Sequence, residues 1–179
     1  MKKFFVSAAL VFSIFCILCT FGSFVLTQTY PTAYKQDIVA YHDDWRLVLS
    51  LIKAESGFRT DATSNAGACG LMQILPSTAE FIAEKHDIES YDLYNAQDNI
   101  RLGCLYLKYL EGRFSRLNTV LAAYNAGEGT VSDWLKNEKY SSDGVSLRDI
   151  PYSETKKYVK KIEKYYKNYL RIYLTNESK

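Results

Sequence analysis

The chain has 179 residues and a formal net charge of +2, so its bulk charge gives no reason to expect a nucleic-acid partner. Neither histidine, His42 or His86, has a second ligand at a metal-binding spacing, so we expect no metal, no cofactor and no histidine-dependent triad. Tyrosine occurs 15 times, which fits either a cleft with amphipathic walls or an ordinary half-buried core.

The N-terminal segment contains an uncharged run of 23 residues, 4–26, directly after Lys2 and Lys3. A helix of roughly 20 apolar residues spans a bilayer, and the two lysines favour a cytoplasmic N-terminus. No small-residue cleavage site closes the run, and bulky residues precede Cys16 and Cys19 where a lipoprotein signal needs a small one. We therefore predict a retained single-pass signal anchor at 1–27 with an extracytoplasmic domain behind it. A cleaved secretion signal is the alternative.

The rest of the chain, roughly 150 residues, fits one globular domain. Residues 28–42 are predicted to form a juxtamembrane linker and a leading helix, and residues 43–179 a mainly helical domain. Asp43 or Asp44 can cap a helix that is apolar nearly all round and ends at Glu55. At the end of such a helix, loss of hydration raises the pKa of the Glu55 carboxyl group. A raised pKa suits a general acid. A glutamate that only hydrogen-bonds nearby backbone is the alternative.

Residues 59–70 are small and polar and predict a loop, followed by a short apolar segment that contains Gln73. The Gln73 amide needs partners, either backbone groups or a substrate. Ser77 and Glu80 match a capping box that would start the next helix, which runs to about Lys85. Apolar spacing predicts further helices at 98–110, at 117–124, at 129–135 and from about residue 150 onward.

The last of these helices has a tyrosine-lined face and a lysine-rich face. We expect the lysine face to be solvated. Contact of the lysine face with an anionic wall polymer or lipid is the alternative. The tyrosine face consists of Tyr158, Ile162, Tyr165 and Tyr169.

Four short motifs occur in order along the domain, and each of them alone is weak. Together they resemble the soluble-lytic-transglycosylase (SLT) family of peptidoglycan-cleaving enzymes, which has a lysozyme-like fold. The resemblance covers roughly residues 30–170. The motifs are Glu55-Ser56, Gly67-Ala68-x-Gly70-Leu71-Met72-Gln73, Ala123-Tyr124-Asn125-Ala126-Gly127, and Ile150-Pro151-Tyr152-Ser153-Glu154-Thr155 with Tyr158-Val159.

The resemblance implies a mainly α, lysozyme-like single globular domain behind the N-terminal transmembrane helix. It assigns Glu55 as the catalytic acid and then base. Leu75 stands where related enzymes often have Met, a swap that keeps the side-chain volume. The implied sugar-binding residues are Ser56, Ser64, Gln73, Leu75, Tyr124, Asn125 and Glu154.

The activity implied is that of a membrane-anchored lytic transglycosylase. Such an enzyme cleaves the β-1,4 bond between N-acetylmuramic acid (MurNAc) and N-acetylglucosamine (GlcNAc) and leaves 1,6-anhydro-MurNAc ends. Its partners would be peptidoglycan glycan strands and, through residues 4–26, the cell membrane. A lysozyme-type hydrolase of the same bond and a catalytically silent peptidoglycan-binding module are the alternatives. Whether Cys69 and Cys104 form a disulfide is also left undecided, because the sequence does not give the distance between their Cα atoms.

Overall fold

The structure is a computed structural model that describes residues 12, 14–17, 20, 22 and 25–173. The chain separates into two compact units at the boundary between Ala33 and Tyr34. Most of the predicted anchor at 4–26 lies outside the described residues, as does the C-terminal segment 174–179. Among the residues that are described, no helix is both long and apolar enough to cross a membrane.

Between residues 35 and 173 the chain forms seven helices, which confirms the mainly helical domain predicted from the sequence. Loops and isolated bridges, rather than named strands, connect them in this range, and the two longest connections are residues 56–75 and 136–152. The helices are α1 (Lys35–Val39), α2 (Trp45–Glu55), α3 (Pro76–Lys85), α4 (Ala96–Arg113), α5 (Leu117–Ala126), α6 (Glu128–Leu135) and α7 (Ser153–Tyr173).

Helix α2 lies inside the domain, because seven of its 11 residues are buried. The Asp44 carboxylate caps its start by accepting from the backbone N–H groups of Arg46 and Leu47, each at 3.1 Å. Helix α7 packs along α2. Each fully buried Leu, Ile or Val side chain stabilises the fold by about 1.5–3 kcal/mol. This packing fixes the position of the C-terminal end of α2 in the domain, and Glu55 is the last residue of that helix.

The loop between α2 and α3 is held by Asn99, a fully buried residue of α4. Its Oδ1 atom accepts from the N–H of Met72 at 2.8 Å, and its Nδ2 atom donates to the carbonyls of Cys69 and Leu93, each at 2.9 Å. Cys69 also pairs with Ile74 in an isolated bridge. One side chain of α4 therefore fixes the segment that carries Gln73.

Two glycines let this loop lie directly against α4. Gly70 has a φ of +75°, and a Cβ atom there would lie 2.4 Å from Nδ2 of Asn99 in α4. A Cβ atom on Gly103 would lie 2.4 Å from the sulfur of Met72. Any side chain at either position would push the loop away from the helix, since contacts this short do not occur.

The predicted capping box of Ser77 and Glu80 is wrong. Helix α3 begins at Pro76, its N-cap residue is Leu75, and no side chain caps it. Proline suits the first helical position because its φ is already helical and it has no N–H group to satisfy. The helix therefore starts earlier than the serine suggests, and Ser77 lies inside the first turn.

Cys69 and Cys104 are both buried and both free, so the disulfide left open by the sequence is not formed. The Cys69 thiol donates to the Gly67 carbonyl at 3.3 Å. Burial raises the pKa of the Cys104 thiol to about 12. The two residues fill buried space, as free cysteines often do.

Candidate functional site

Glu55 is the last residue of α2, and its side chain is half-buried. The Tyr158 hydroxyl of α7 donates a hydrogen bond to its Oε1 atom. Burial raises the pKa of Glu55 to about 7, although the hydrogen bond from Tyr158 and the charge of Lys161 act in the opposite direction. A carboxyl group in this setting holds a proton near neutral pH and can both donate and recover it.

Lys161 is the charged residue that acts on Glu55 among the described residues. Its ammonium group donates to the Ala54 carbonyl at 2.8 Å, at the C-terminal end of α2 where backbone carbonyls lack helical partners. No second carboxylate contributes to the shifted pKa of Glu55 in this part of the chain. Asp61, the acidic residue in the following loop, is exposed. The site therefore presents a single perturbed acid.

Tyr124 holds the apolar segment against α5, and Gln73 ties the segment to the loop before it. The Tyr124 hydroxyl donates to the Met72 carbonyl at 2.9 Å. Burial, together with the charge of Glu55, raises the pKa of Tyr124 well above its ordinary value. Gln73 has a φ of +50°, and its Nε2 atom donates to the carbonyls of Ala62 and Gly70 at 3.1 and 2.9 Å. Of the two partners expected for the Gln73 amide, backbone groups or a substrate, its NH₂ group binds backbone carbonyls.

A cleft of about 240 Å³ lies between this segment and the end of α5. Leu75 is 40% exposed there and gives the cleft an apolar patch. A neighbouring cavity of about 280 Å³ shares Thr78 and Tyr106 with it, and the rings of Tyr106 and Tyr124 lie 5.3 Å apart. The predicted residues that line the cleft are Gln73, Leu75, Tyr124 and Asn125.

The other predicted residues lie outside the lining of that cleft. The Ser56 hydroxyl donates to the Ile52 carbonyl at 3.2 Å and accepts from the Phe58 N–H at 3.1 Å, which closes the end of α2. Ser64 is exposed, and its hydroxyl accepts from the Ala68 N–H at 3.0 Å. Glu154 is exposed in the first turn of α7.

Helix α7 contacts one of the residues that line the cleft, because the Thr155 hydroxyl donates to Oδ1 of Asn125 at 2.7 Å. This contact joins the end of α5, which borders the cleft, to the helix that holds Glu55 through Tyr158. Among the described residues no group of three or more His, Cys, Asp or Glu side chains is arranged to hold a metal ion.

Sequence reasoning placed Tyr158 on the tyrosine-lined face of its helix and missed its contact with Glu55. It also placed Lys161 on a solvated face. The available signal for Tyr158 was its position in the fourth motif, one helical turn after Glu154. The signal for Lys161 was weaker, since nothing in the local pattern separates it from the other lysines of α7.

Comparisons with known proteins place these motifs in a family. The family described as transglycosylase SLT domain matches residues 33–146, a span that holds the first three motifs. The soluble lytic murein transglycosylase of Escherichia coli (strain K12) is 34% identical over 151 residues, covering 78% of this chain and 23% of that protein. The membrane-bound lytic murein transglycosylase C of Actinobacillus pleuropneumoniae serotype 5b (strain L20) is 34% identical over 151 residues, covering 70% of this chain and 41% of that protein.

The fold agrees with that match. The solved structure of the 70 kDa soluble lytic transglycosylase from Escherichia coli has a TM-score of 0.73 to this chain at 30% identity, covering 84% of this chain and 26% of that one. The chain thus spans between 23% and 41% of the lengths of these three relatives. By sequence and by fold, the chain belongs to the transglycosylase SLT domain family.

Proposed function

We propose that this protein is a membrane-anchored peptidoglycan lytic transglycosylase. It cleaves the β-1,4 bond between MurNAc and GlcNAc and leaves 1,6-anhydro-MurNAc ends. The observation that carries the proposal is Glu55, an acid with a pKa of about 7 that Tyr158 holds at the end of a buried helix. Family membership supports the reaction class, and the relatives named above are lytic murein transglycosylases.

A single acid is sufficient if the substrate supplies its own nucleophile. Glu55 protonates the glycosidic oxygen, and the bond from that oxygen to C1 of MurNAc breaks as the 2-acetamido oxygen attacks C1. The Glu55 carboxylate then takes the proton from the 6-hydroxyl, whose oxygen displaces the acetamido oxygen and closes the 1,6-anhydro ring. Glu55 ends protonated, as it began, and no water is consumed. Glycosidases that use the substrate in this way are recognised exceptions to the two-carboxylate pattern.

The cleft residues are proposed to bind the sugars on either side of the cleaved bond. Leu75 offers an exposed apolar surface to a sugar ring, and the Oε1 atom of Gln73 has no protein partner within residues 25–173. Tyr124 lies close enough to Glu55 for the carboxylate to raise the pKa of its hydroxyl. The remaining proposed substrate-binding residues are Ser56, Ser64, Asn125 and Glu154.

We assign residues 1–27 to the anchor, 28–42 to the linker and leading helix, and 43–179 to the catalytic domain on the extracytoplasmic side. The charge-free run at 4–26 and a relative named as membrane-bound support this arrangement. External protease added to intact cells should degrade a full-length, membrane-associated protein. Recovery of a shortened, soluble form that lacks residues 1–26 would instead show that the signal is cleaved.

The role of Glu55 can be tested by a matched pair of substitutions. Glu55→Gln keeps the shape of the side chain but cannot donate and recover a proton, so turnover of purified peptidoglycan should fall at least about 100-fold. Asp61→Asn removes the exposed carboxylate of the next loop and should leave turnover unchanged. Loss of activity in the Asp61 variant would indicate a two-carboxylate hydrolase, and full activity in the Glu55 variant would contradict the assignment.

A further inference from the structure

The positive charge of the chain is concentrated on α7. This helix has a net charge of +5, because it contains seven of the 22 basic residues and two of the 20 acidic residues. The remainder of the chain has a net charge of −3. So uneven a distribution, on a protein whose overall charge is only +2, indicates an anionic partner for this one helix.

Five of the seven basic side chains form a straight row that we call the basic face. They recur every three or four residues, and at about 100° per helical residue they lie within an arc of about 80°. All five are exposed, and no hydrogen bond, ion pair or ring contact engages them within residues 25–173. The row extends roughly 21 Å, at 1.5 Å per helical residue. The basic face consists of Lys157, Lys160, Lys164, Lys167 and Arg171.

The basic face lies on the side of α7 that is opposite to the candidate site. Tyr158, whose hydroxyl holds Glu55, lies about 140° around the helix from the middle of the row. Thr155, which donates to the cleft residue Asn125, lies about 160° from it. A glycan bound beside Glu55 is therefore on the far side of α7 from these charges, and the partner of the basic face is a separate structure.

The chemistry of the basic face fits the headgroup layer of an anionic membrane. No large hydrophobic side chain of α7 is exposed, whereas helices that insert into lipid bury such side chains at the boundary of the acyl chains. Rows of lysines instead bind anionic headgroups by charge alone. Because the five side chains lie in one narrow row, a flat surface can contact all of them at the same time.

The proposed anchor brings such a surface within reach of α7. The anchor ends at residue 27 and α1 begins at Lys35, so residues 28–34 connect it to the helical domain. Seven residues span at most about 25 Å when fully extended. A domain held by so short a connection meets the membrane at high effective concentration, so a weak electrostatic contact is sufficient.

We propose that the basic face lies on the anionic headgroups of the membrane that holds the anchor, and that this contact turns the cleft away from the lipid. The inference rests on the proposed function in one respect, the anchor at 1–27. A short connection limits how far the domain can lie from the membrane, but it does not by itself fix how the domain is rotated. Contact through the basic face fixes that rotation, with Glu55 and Asn125 on the side that faces the wall polymer.

The experiment measures how well the membrane protects the basic face from a chemical label. Full-length protein is reconstituted into vesicles of phosphatidylcholine, either alone or with phosphatidylglycerol as about a third of the lipid. A membrane-impermeant amine reagent is added, and mass spectrometry gives the label on each lysine. Lys108 on α4 and Lys136 just after α6 are exposed and serve as internal references.

The lysines of the basic face should be labelled at least about fivefold less, relative to the two references, when the vesicles contain the anionic lipid. Concentrated salt should remove this protection, because it screens charges that remain in contact with water. Equal labelling in the two kinds of vesicle would overturn the inference. Protection by a soluble anionic wall polymer, with none by the anionic lipid, would also overturn it.

A pair of charge-reversed proteins separates this contact from binding of the substrate. Lys160→Glu with Lys164→Glu should abolish the protection of Lys157 and Lys167, while Lys108→Glu with Lys136→Glu should leave it intact. Both proteins should cleave soluble peptidoglycan fragments at the rate of the unaltered chain. Loss of cleavage in the basic-face variant alone would overturn the inference, because the glycan would then be the partner.

Failure of the proposed anchor would give a different result. Flotation with vesicles of phosphatidylcholine alone reports the anchor, because the basic face does not bind a neutral surface. Protein that stays apart from these vesicles would contradict the anchor. If the same protein still floated with the anionic vesicles and its basic face were protected there, the inference would stand.

Discussion

At the scale of single residues, the chemistry depends on the proton of Glu55. Burial raises the pKa of this group to about 7, while Tyr158 and Lys161 lower it, so its protonation reflects opposed effects from three neighbouring features. An acid that must give up a proton and then recover it works best when its pKa lies near the working pH. Two substitutions test whether the observed contacts set that value.

Glu55→Gln should stabilise the protein in a pH-dependent way. Because the folded pKa is raised from 4.5 to about 7, the stability contributed by protonated Glu55 is fully present below pH 4.5 and is lost as the pH rises through about 7. The glutamine has no such loss. Urea unfolding should show little difference at pH 4 and a gain of up to about 3 kcal/mol for the variant at pH 8. A difference that does not change with pH would contradict the burial effect.

Tyr158→Phe should move the pH profile of activity. Its hydroxyl lowers the pKa of Glu55, so its removal shifts the decline of kcat on the alkaline side to higher pH. We also expect kcat to fall about tenfold because the carboxyl group is less well oriented. Tyr166→Phe removes the equivalent tyrosine–carboxylate bond farther along α7 and serves as the control. An unshifted profile in the Tyr158 variant would show that the tyrosine does not act on Glu55.

At the scale of secondary-structure elements, the site is made by α2, α7 and the loop that Asn99 fastens to α4. Helical periodicity in the sequence was sufficient to predict α2 and the later helices, because their apolar residues face the core at regular spacing. The start of α3 was predicted wrongly because Pro76 determines it instead of a serine cap. The bond between Tyr158 and Glu55 joins residues 103 positions apart, and no local pattern encodes such a contact.

Asn99→Ala should loosen the loop that carries Gln73. The change removes three hydrogen bonds and leaves the Met72 N–H and two carbonyls without their partner, so we expect a loss of about 3 kcal/mol and a reduced kcat. Asn95→Ala removes only the cap of α4 and should cost about 1 kcal/mol with kcat unchanged. Urea unfolding and turnover of the two variants check both expectations. Equal losses of stability and of kcat in the two variants would show that Asn99 does not hold the loop that carries Gln73.

At the scale of the whole molecule, helix α7 connects the candidate catalytic acid Glu55 to the cleft residue Asn125. Helix α7 supplies the hydroxyl that holds Glu55, donates from Thr155 to the cleft residue Asn125, and has a row of exposed lysines on its outer side. The family and the mainly helical fold could be predicted from ordered motifs and apolar spacing. The contacts of α7 with Glu55 and Asn125 could not be predicted, because they depend on how α7 packs against α2 and α5 and join residues distant in sequence.

The central claim is that Glu55 alone carries the reaction while the 6-hydroxyl of MurNAc closes the product. The most direct measurement is the mass of the new glycan ends when purified full-length protein digests peptidoglycan in water enriched in heavy oxygen. The account predicts 1,6-anhydro-MurNAc ends, one water lighter than reducing ends and free of heavy oxygen. Reducing ends that contain heavy oxygen would contradict it, because water would then be the group that completes the reaction.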